Sequence, residues 1–396
     1  MLRVAYLFER FPSFGQTFCY REVAELVRQG AAVTVFSLRR PTGEPPQDWD
    51  SEITEGVVYL SGEAELVKEI DRAISRDQLP EEAVRRLKEW DRQSDFLRLY
   101  QAAYVGLRLQ KAGIERVHAH FAGMAARTAY WIKQFFGIDY SLTAHANDIF
   151  APRDFVISLT KLFDAASAIV TVSDFAVDHL KRQFPQDAAK IHRVYNGVEL
   201  ARFKPAAFPE GARLIVSVGR LIEKKGFTDL ITACEILKTD TSSFQCEIIG
   251  DGPLEGPLRT QIVNAHLQDR VKLLGPRTQT EITARLAAAT VFVLPCRQAA
   301  DGDMDNLPTV IMEAMAAGLP VISTALAGIP EMVQSGVTGA LVPQKDPVAL
   351  ASAIAPLLSN SAVAREYGAR GRELAEAKFS VEKNAGLLAK ILQRTA

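Results

Sequence analysis

The stretch from residue 291 to residue 323 reads VFVLPCRQAADGDMDNLPTVIMEAMAAGLPVIS. Two short apolar runs rich in β-branched residues, at 291–294 and 320–323, flank a segment in which apolar residues recur at helical spacing. A strand, a helix and a second strand in this order form a βαβ unit, whose two strands lie parallel in one sheet. This stretch therefore predicts an α/β fold.

The same alternation extends along most of the chain and predicts two sets of strands. The strands of the first set are expected at residues 2–8, 32–37, 114–119, 138–144, 167–172 and 191–195. Those of the second set are expected at residues 213–218, 245–249, 271–274, 291–294, 320–323 and 339–342. Because a Pro/Ala/Gly-rich stretch of low periodicity separates the two sets, we place a domain boundary at about residues 205–212. The predicted domains are 1–207 and 208–378, followed by a C-terminal helix at 379–396.

The length and composition describe a folded chain without a strong net charge. At roughly 150 residues per domain, 396 residues correspond to two domains with some surplus. The 46 Lys and Arg residues nearly balance the 47 Asp and Glu residues, so we expect no nucleic-acid partner. The four cysteines lie far apart, which argues against a zinc ribbon and a secreted disulfide framework. The sequence has the features of neither a signal peptide nor a membrane span, so we expect a cytoplasmic protein.

Residues 63–111 are rich in charge at helical spacing. Charge in this pattern is typical of a solvated surface. We therefore predict a solvated helical hairpin inserted in the first domain. The alternative for this stretch is a patch that touches a membrane surface.

The segment that follows the strand at 291–294 has the pattern of an anion site. Asn306 suits a helix cap and Pro308 suits the first turn of a helix, where its missing N–H costs nothing. The free backbone amides around Leu307 and Thr309 would then point out of a helix N-terminus. Such an end binds anions, and phosphate above all.

Two carboxylates accompany this helix start. At ~1.5 Å of rise per residue, Glu313 lies ~7 Å along the helix and close to a bound ligand, while Asp305 lies in the loop above the same end. A carboxylate beside a phosphate site suits a sugar nucleotide, because it accepts hydrogen bonds from vicinal ribose hydroxyls. The competing interpretation is that Glu313 is a surface residue on an amphipathic helix.

The stretch from residue 305 to residue 321 resembles the hallmark of the retaining glycosyltransferases of family 4. That hallmark is a Glu-x7-Glu motif, and this sequence matches it from Pro308 to Val321. The match departs from the family pattern at its start, where Asp305 replaces the first Glu and Asn306 replaces the usual Gly. The resemblance implies the GT-B fold, in which two Rossmann-like, doubly wound domains face each other across a cleft.

The segment SVGRLIEKKG, at residues 217–226, joins a predicted strand to a helix and is similar to a second family motif. Arg220 and Lys225 leave the C-terminal edge of the sheet, where α/β proteins bind ligands, so together they would neutralise a diphosphate. By resemblance, Gly250 belongs to a turn of the donor domain and Arg277 to the loop beside the nucleotide base.

The first domain also resembles the family. The sequence YLFERFPSFGQTF, at residues 6–18, is similar to members found in bacterial exopolysaccharide and colanic-acid gene clusters. Gly15 lies where the loop after the first strand would approach the donor phosphate. His145, at a strand end, resembles a family histidine that approaches the donor sugar, and Asp148 is expected to face the acceptor.

The resemblance implies a metal-independent, retaining transfer of a hexose-type residue from a UDP- or GDP-sugar to a glycan or lipid-linked oligosaccharide. It assigns catalytic roles to four side chains, those of His145, Arg220, Lys225 and Asp305. The expected donor-binding residues are Gly15, Arg220, Lys225, Gly250, Arg277, Leu307, Thr309 and Glu313. We expect no resident cofactor beyond the nucleotide-sugar co-substrate, and an acceptor of this kind suggests peripheral contact with the inner face of a membrane.

Two other classes of protein stay open from the sequence. His118 and His120 alternate along a predicted strand and therefore share one face, and with His145 they would suit a metal-dependent hydrolase. A non-catalytic GT-B protein that binds nucleotide sugar would retain the phosphate motifs, and the altered Asp305 favours it. An NAD-dependent dehydrogenase is disfavoured, because no G-x-G-x-x-G follows the first strand.

Overall fold

The structure is a computed structural model that describes residues 2–44, 47, 49–90, 95–151, 154–208, 211, 213–240 and 243–394. These residues form two sheets. The strands of the first sheet are β1 (Arg3–Arg10), β2 (Ala32–Arg39), β3 (Val58–Tyr59), β4 (Arg116–His120), β5 (Asp139–Thr143), β6 (Ala168–Thr171) and β7 (Ile191–Arg193). Those of the second are β8 (Leu214–Val218), β9 (Gln245–Ile249), β10 (Val271–Leu273), β11 (Val291–Leu294), β12 (Val321–Thr324) and β13 (Gly339–Val342).

Both sheets are parallel and doubly wound. The first has the order β3-β2-β1-β4-β5-β6-β7, and the second has the order β10-β9-β8-β11-β12-β13. Neighbouring strands pair in parallel throughout the described residues. The winding reverses beside β1 in one sheet and beside β8 in the other, and ligands of such folds bind beyond the carboxyl ends of the strands at the reversal. The predicted fold class is confirmed.

The hydrophobic runs located twelve of these strands, each to within about two residues at either end. The reason is burial on both faces, which makes the strands of a parallel sheet read as continuous apolar runs. All four residues of β11 and all four of β12 are buried. The sequence analysis missed β3, because two residues are too short to carry a periodic signal.

Helices alternate with the strands in both halves of the chain. The first half contains α1 (Thr17–Arg28), α2 (Ser51–Glu55), α3 (Glu63–Ser75), α4 (Glu81–Trp90), α5 (Phe96–Ala112), α6 (Met124–Phe136), α7 (Ala146–Phe150), α8 (Leu159–Ala165) and α9 (Asp174–Gln183). The second half contains α10 (Phe227–Asp240), α11 (Glu255–Asn264), α12 (Gln279–Ala288), α13 (Thr309–Ala316), α14 (Pro347–Ser359), α15 (Ser361–Lys378) and α16 (Val381–Arg394).

The C-terminal helix α16 lies against the first domain. Its Leu388 and Leu392 are fully buried and share a hydrophobic cluster with Val4 and Tyr6 of β1. Alternate residues of β1, such as Leu7, belong to a different cluster on the other face of the sheet. The last helix therefore completes one of the two cores of the first domain, although it follows the second domain in sequence.

The prediction of a solvated hairpin at residues 63–111 is wrong in one respect. This stretch forms α3, α4 and α5, with residues 91–94 outside the described part of the chain. The helix α5 is largely buried, and Leu99, Val105 and Leu109 are buried in the core of the first domain. The charged residues that suggested a solvated surface are concentrated on α3 and α4, whereas α5 has the composition of a core helix.

The boundary predicted at about residues 205–212 lies between β7 and β8, and its residues 209, 210 and 212 fall outside the described residues. Among the described residues, no single helix is long and apolar enough to cross a membrane. The pair formed by α14 and α15 meets the criterion only jointly, and it is bent by 105°.

Gly250 allows close packing of two loops in the second domain. Its φ is +139°, and a Cβ atom at this position would lie 2.0 Å from the carbonyl oxygen of Gly219. Both the left-handed backbone and the contact exclude a larger residue. The GxG pattern after β9 is therefore a requirement of packing.

We expect Gly250→Ala to lower the stability of the second domain by roughly 2–4 kcal/mol, because it combines backbone strain with overpacking. Thermal unfolding followed by circular dichroism measures the effect. Gly256→Ala is the matched control, since Gly256 lies in α11 with no atom within 4 Å of the position that a Cβ would take, and alanine favours a helix. Equal melting temperatures for the two variants would contradict the packing role.

Candidate functional site

Two adjoining cavities open between the domains, at the carboxyl ends of the strands where both sheets reverse their winding. The first has a volume of about 260 Å³ and is lined mostly by the second domain, with Phe14, Gly15, Thr17 and Gln47 contributed by the first. The second has a volume of about 250 Å³, and its walls include Phe18, Phe121 and His145 of the first domain. We call them the donor-side cavity and the sugar-side cavity.

The two cavities share a wall, and that wall carries most of the predicted catalytic residues. Its members are Gly15, Arg220, Lys225, Asp305, Pro308 and Thr309. Arg220 follows β8, and Asp305 lies in the loop between β11 and α13. The tertiary structure thus brings together Gly15 and Asp305, which lie far apart in the sequence.

Lys225 and Asp305 form an ion pair at this shared wall, with 2.6 Å between Nζ and Oδ2. Lys224 lies 3.6 Å from the same carboxylate and 2.9 Å from Asp303. Burial raises the pKa of Asp305, but the two ammonium groups outweigh burial and leave that pKa below its ordinary value. Asp305 is therefore a carboxylate at neutral pH. Its shorter side chain still reaches Lys225, although it differs from the Glu of the family pattern.

The helix starts two residues later than a cap at Asn306 would give. Pro308 occupies the cap position and α13 begins at Thr309. The Asn306 side chain instead accepts a hydrogen bond of 2.7 Å from the Ser173 hydroxyl of the first domain. Leu307 lines the sugar-side cavity and Thr309 lines both cavities, so the helix N-terminus faces the site as expected.

Glu313 lines the donor-side cavity, one turn into α13, and is only 2% exposed. Its interpretation as a residue on a solvated helix face is therefore wrong. Arg21 of α1 lies 2.5 Å from its Oε1 atom, and Gln279 of α12 donates a longer hydrogen bond of 3.4 Å to Oε2. Sequence reasoning missed Arg21, because an arginine on an amphipathic helix carries no signal that it faces another domain.

The other predicted donor-binding residues, Arg277, Gly250 and Gly15, all line the donor-side cavity but differ in what they contact. Arg277 lines the cavity and donates to its own neighbour, the Pro276 carbonyl oxygen, at 3.0 Å. Gly250 lines the cavity as well, beside the tight turn described above. Gly15 lies in the 3-10 turn Phe14–Gln16, and a Cβ added to it would have no atom within 4 Å. Packing alone therefore does not require glycine at position 15.

The first domain contributes aromatic walls to the sugar-side cavity. The ring of Phe121 lies 4.4 Å from that of His145, and the ring of Phe18 lies 5.0 Å from His145, measured between centroids. Phe121 has a φ of +67°, a conformation that costs a bulky residue free energy and that is concentrated at functional sites. These rings form an apolar surface opposite the charged shared wall.

Behind His145 lies a buried chain of hydrogen bonds that the sequence did not reveal. His145 Nε2 is 3.2 Å from His120 Nδ1, and His120 Nε2 is 2.9 Å from the Glu22 carboxylate. The Tyr6 hydroxyl donates to the same carboxylate at 2.8 Å. Burial and the neighbouring imidazoles of His120 and His118 hold the pKa of His145 well below its ordinary value. His145 therefore faces the site as a neutral ring at physiological pH.

His118 and His120 share a face of β4, as predicted, and with Glu22 they place one ligand atom each within 4.8 Å of one another. Both ring nitrogens of His118 are already engaged, with Ser141 at 2.8 Å and Thr143 at 3.0 Å. A metal ion would have to displace one of these partners, because a ligand nitrogen needs a free lone pair. The hydrogen bonds therefore favour a structural role for His118.

Comparison with protein families agrees with this geometry. Residues 15–202 match the model for glycosyltransferase family 4, and residues 199–374 match the model for glycosyl transferases group 1. The chain belongs to the GT-B glycosyltransferases of family 4. The two matches meet near residue 200, between the two sheets.

The names of several curated relatives of this chain refer to the biosynthesis of amylovoran or colanic acid. The amylovoran biosynthesis glycosyltransferase AmsK of Erwinia amylovora is 43% identical over 46% of this chain and 45% of its own length. The putative colanic acid biosynthesis glycosyltransferase WcaL of Escherichia coli is 40% identical over 49% of this chain and 48% of its own. The chain thus spans about half the length of these relatives.

Solved structures of low sequence identity share the fold over the whole chain. A glycosyltransferase from Rickettsia africae superposes with a TM-score of 0.76 at 17% identity, covering 100% of this chain and 98% of that one. HepE of Anabaena in complex with UDP superposes with a TM-score of 0.74 at 16% identity, covering 100% of both chains. These likenesses establish the GT-B architecture.

The buried His118 makes stability depend on pH. Burial and the neighbouring His120 lower the pKa of His118 to about 3, so the folded protein keeps this ring neutral where the unfolded chain binds a proton. Stability contributed in this way is present above the ordinary histidine pKa and is lost as the pH falls. On acidification from pH 7 to pH 5, we expect protonation of His118 in the unfolded chain to lower the free energy of unfolding by about 2 kcal/mol.

Urea unfolding followed by tryptophan fluorescence at the two pH values tests this effect, because all three tryptophans, Trp49, Trp90 and Trp131, belong to the first domain. His118→Gln should show a smaller loss of stability on acidification than the wild type. His266→Asn, at an exposed position of the second domain, is the control and should leave the pH dependence unchanged. An undiminished pH dependence in His118→Gln would contradict the assignment.

Proposed function

We propose that this protein transfers a hexose-type sugar from a UDP- or GDP-sugar to a glycan or lipid-linked oligosaccharide, with retention and without a metal ion. One observation carries the proposal: two cavities adjoin at a wall that holds Arg220, Lys225 and a helix N-terminus. A nucleotide sugar has the same layout as this site, because its diphosphate lies between a nucleoside and a sugar.

In this arrangement the nucleoside occupies the donor-side cavity. Glu313 accepts hydrogen bonds from the ribose hydroxyls, and Arg277 lies beside the nucleotide base. The diphosphate lies at the shared wall, between the cations and the backbone amides near Thr309. At about 260 Å³ and about 250 Å³, each cavity alone lies slightly below the range usual for small-molecule sites, which begins at roughly 300 Å³, so a nucleotide sugar would extend through both.

The sugar then lies in the second cavity, between His145 and the apolar rings of the first domain. His145, as a neutral ring, serves as a hydrogen-bonding partner for a sugar hydroxyl. The apolar face of a pyranose ring fits against Phe121, because C–H groups are attracted to the negative face of an aromatic ring. The acceptor approaches from the first-domain side, where Asn147 also lines this cavity.

Catalysis follows from charge development at the shared wall. Cleavage of the anomeric C–O bond leaves negative charge on the nucleoside diphosphate, and fixed cations stabilise that charge more in the transition state than in the substrate. Arg220 and Lys225 are placed for this role. Asp305 holds Lys225 in position through the 2.6 Å ion pair and adds negative charge on the side of the cationic sugar.

The names of the relatives support a place in polysaccharide biosynthesis. AmsK and WcaL are named for amylovoran and colanic acid, two polymers of bacterial polysaccharide pathways. An acceptor carried on a lipid would bring the enzyme to the inner face of the membrane as a peripheral protein of the cytoplasm.

A screen of UDP-, GDP- and ADP-sugars by thermal shift and by sugar release, with and without EDTA, tests the proposal. We expect one nucleotide sugar to raise the melting temperature and to be turned over in the presence of EDTA. Loss of activity on chelation would favour a metal-dependent hydrolase. Binding without turnover, also with oligosaccharide acceptors present, would favour the non-catalytic protein.

We expect Lys225→Ala to lower kcat by about 100- to 1000-fold, or ~3–4 kcal/mol, as for removal of one donor from a preorganised anion site. Steady-state kinetics with the donor identified by the screen measure this loss. Lys272→Ala is the matched control, because Lys272 is exposed on β10 and lines neither cavity. Wild-type turnover in Lys225→Ala would remove Lys225 from the mechanism.

A further inference from the structure

Arg21 and Glu313 form a buried ion pair across the two domains. Their side chains are 4% and 3% exposed, and 2.5 Å separates Arg21 Nη2 from Glu313 Oε1. Gln279 joins the pair, since it accepts a hydrogen bond of 3.1 Å from the same Arg21 nitrogen and donates to the second oxygen of Glu313. One residue of the first domain and two of the second thus form a closed triad.

The triad lies at the wall of the donor-side cavity. Glu313 and Gln279 line this cavity, and so does Thr17, which precedes Arg21 by one helical turn on the same face of α1. Arg21 therefore lies one turn beyond the cavity wall. Its guanidinium contacts the carboxylate of Glu313, although Arg21 itself does not line this cavity.

We propose that Arg21 is a positioning residue that holds Glu313 ready for the ribose and so makes ribose recognition depend on closure of the two domains. This inference rests on the proposed function, because it assumes that Glu313 binds the nucleotide ribose. It adds a first-domain residue to a recognition event that the sequence motifs assign to the second domain alone.

The ion pair leaves Glu313 with acceptor positions for a ribose. A carboxylate offers about four acceptor positions on its two oxygens. Arg21 uses one on Oε1 and Gln279 uses one on Oε2, which leaves two positions for two vicinal hydroxyls. Arg21 is therefore compatible with a bound nucleotide, and it does not occupy the site in place of one.

The charge of Arg21 matters because Glu313 is buried. A carboxylate removed from water without a countercharge is strongly disfavoured and takes up a proton or turns away. Either change would cost Glu313 the ability to accept two hydroxyl hydrogen bonds. When the domains separate, Arg21 leaves with the first domain, so the carboxylate is held in this way only in the closed form.

Isothermal titration calorimetry with UDP, GDP and their 2′-deoxy counterparts tests the proposal, because the ratio of the two affinities isolates recognition of the ribose hydroxyl. We expect the wild type to bind the ribonucleotide about tenfold more tightly than the 2′-deoxynucleotide. Arg21→Met and Arg21→Gln should bring the ratio close to one. Two neutral variants are used so that a folded protein, checked by circular dichroism, is available for the measurement.

Arg28→Met is the matched control, since Arg28 belongs to the same helix and its side chain is 65% exposed. It should keep the wild-type ratio. Arg21→Lys restores a positive charge and should recover part of the ratio. The double variant Arg21→Met with Glu313→Gln should have the same ratio of ribonucleotide to 2′-deoxynucleotide affinity as Glu313→Gln alone. The reason is that the effects of two substitutions that remove the same contact do not add.

The outcomes separate the two proposals. A wild-type ratio in a folded Arg21→Met or Arg21→Gln protein would overturn the role of Arg21 and leave the proposed function intact. A lysine variant no better than the neutral ones would overturn the account based on charge. Failure of the wild type to bind any nucleoside diphosphate would overturn the proposed function, and the inference with it.

Discussion

A buried charge needs a partner, and this requirement organises the cleft between the two sheets. Lys225 meets Asp305 at the shared wall, and Arg21 meets Glu313 at the wall of the donor-side cavity. The first pair lies within one domain and the second joins both domains. Removing Arg21 would leave the buried carboxylate of Glu313 without a countercharge, which is more costly than losing the contact itself.

The same requirement links the structure to its chemistry. At the shared wall, Lys225 is held by an ion pair before any ligand arrives, and the backbone amides near Thr309 are fixed by α13. Preorganised charge of this kind costs no rearrangement at the moment of reaction. The histidine chain that runs from Glu22 through His120 to His145 extends the same principle into the first domain, where both ring nitrogens of His120 have a defined partner.

Much of the fold was predictable because the strands of a parallel sheet are buried on both faces and therefore consist of short runs of apolar residues. That signal located twelve of the strands in the described part of the chain and missed β3, whose two residues carry no period. The helix α5 was interpreted as solvated because the charge of α3 and α4 was extended to it. Asn306 was interpreted as a helix cap because its preference for that position is local, whereas its hydrogen bond to Ser173 comes from another domain.

The sequence by itself determined the class of fold, the two sets of strands and the residues that follow β8 and β11, because these depend on periodicity and on motifs of contiguous residues. Only the tertiary structure decided which side chains meet across the cleft. Arg21 and Glu313 are 292 positions apart, and Glu22 and His120 are 98 apart. No local pattern records such pairs, since their contact is a consequence of how two separately formed sheets pack together.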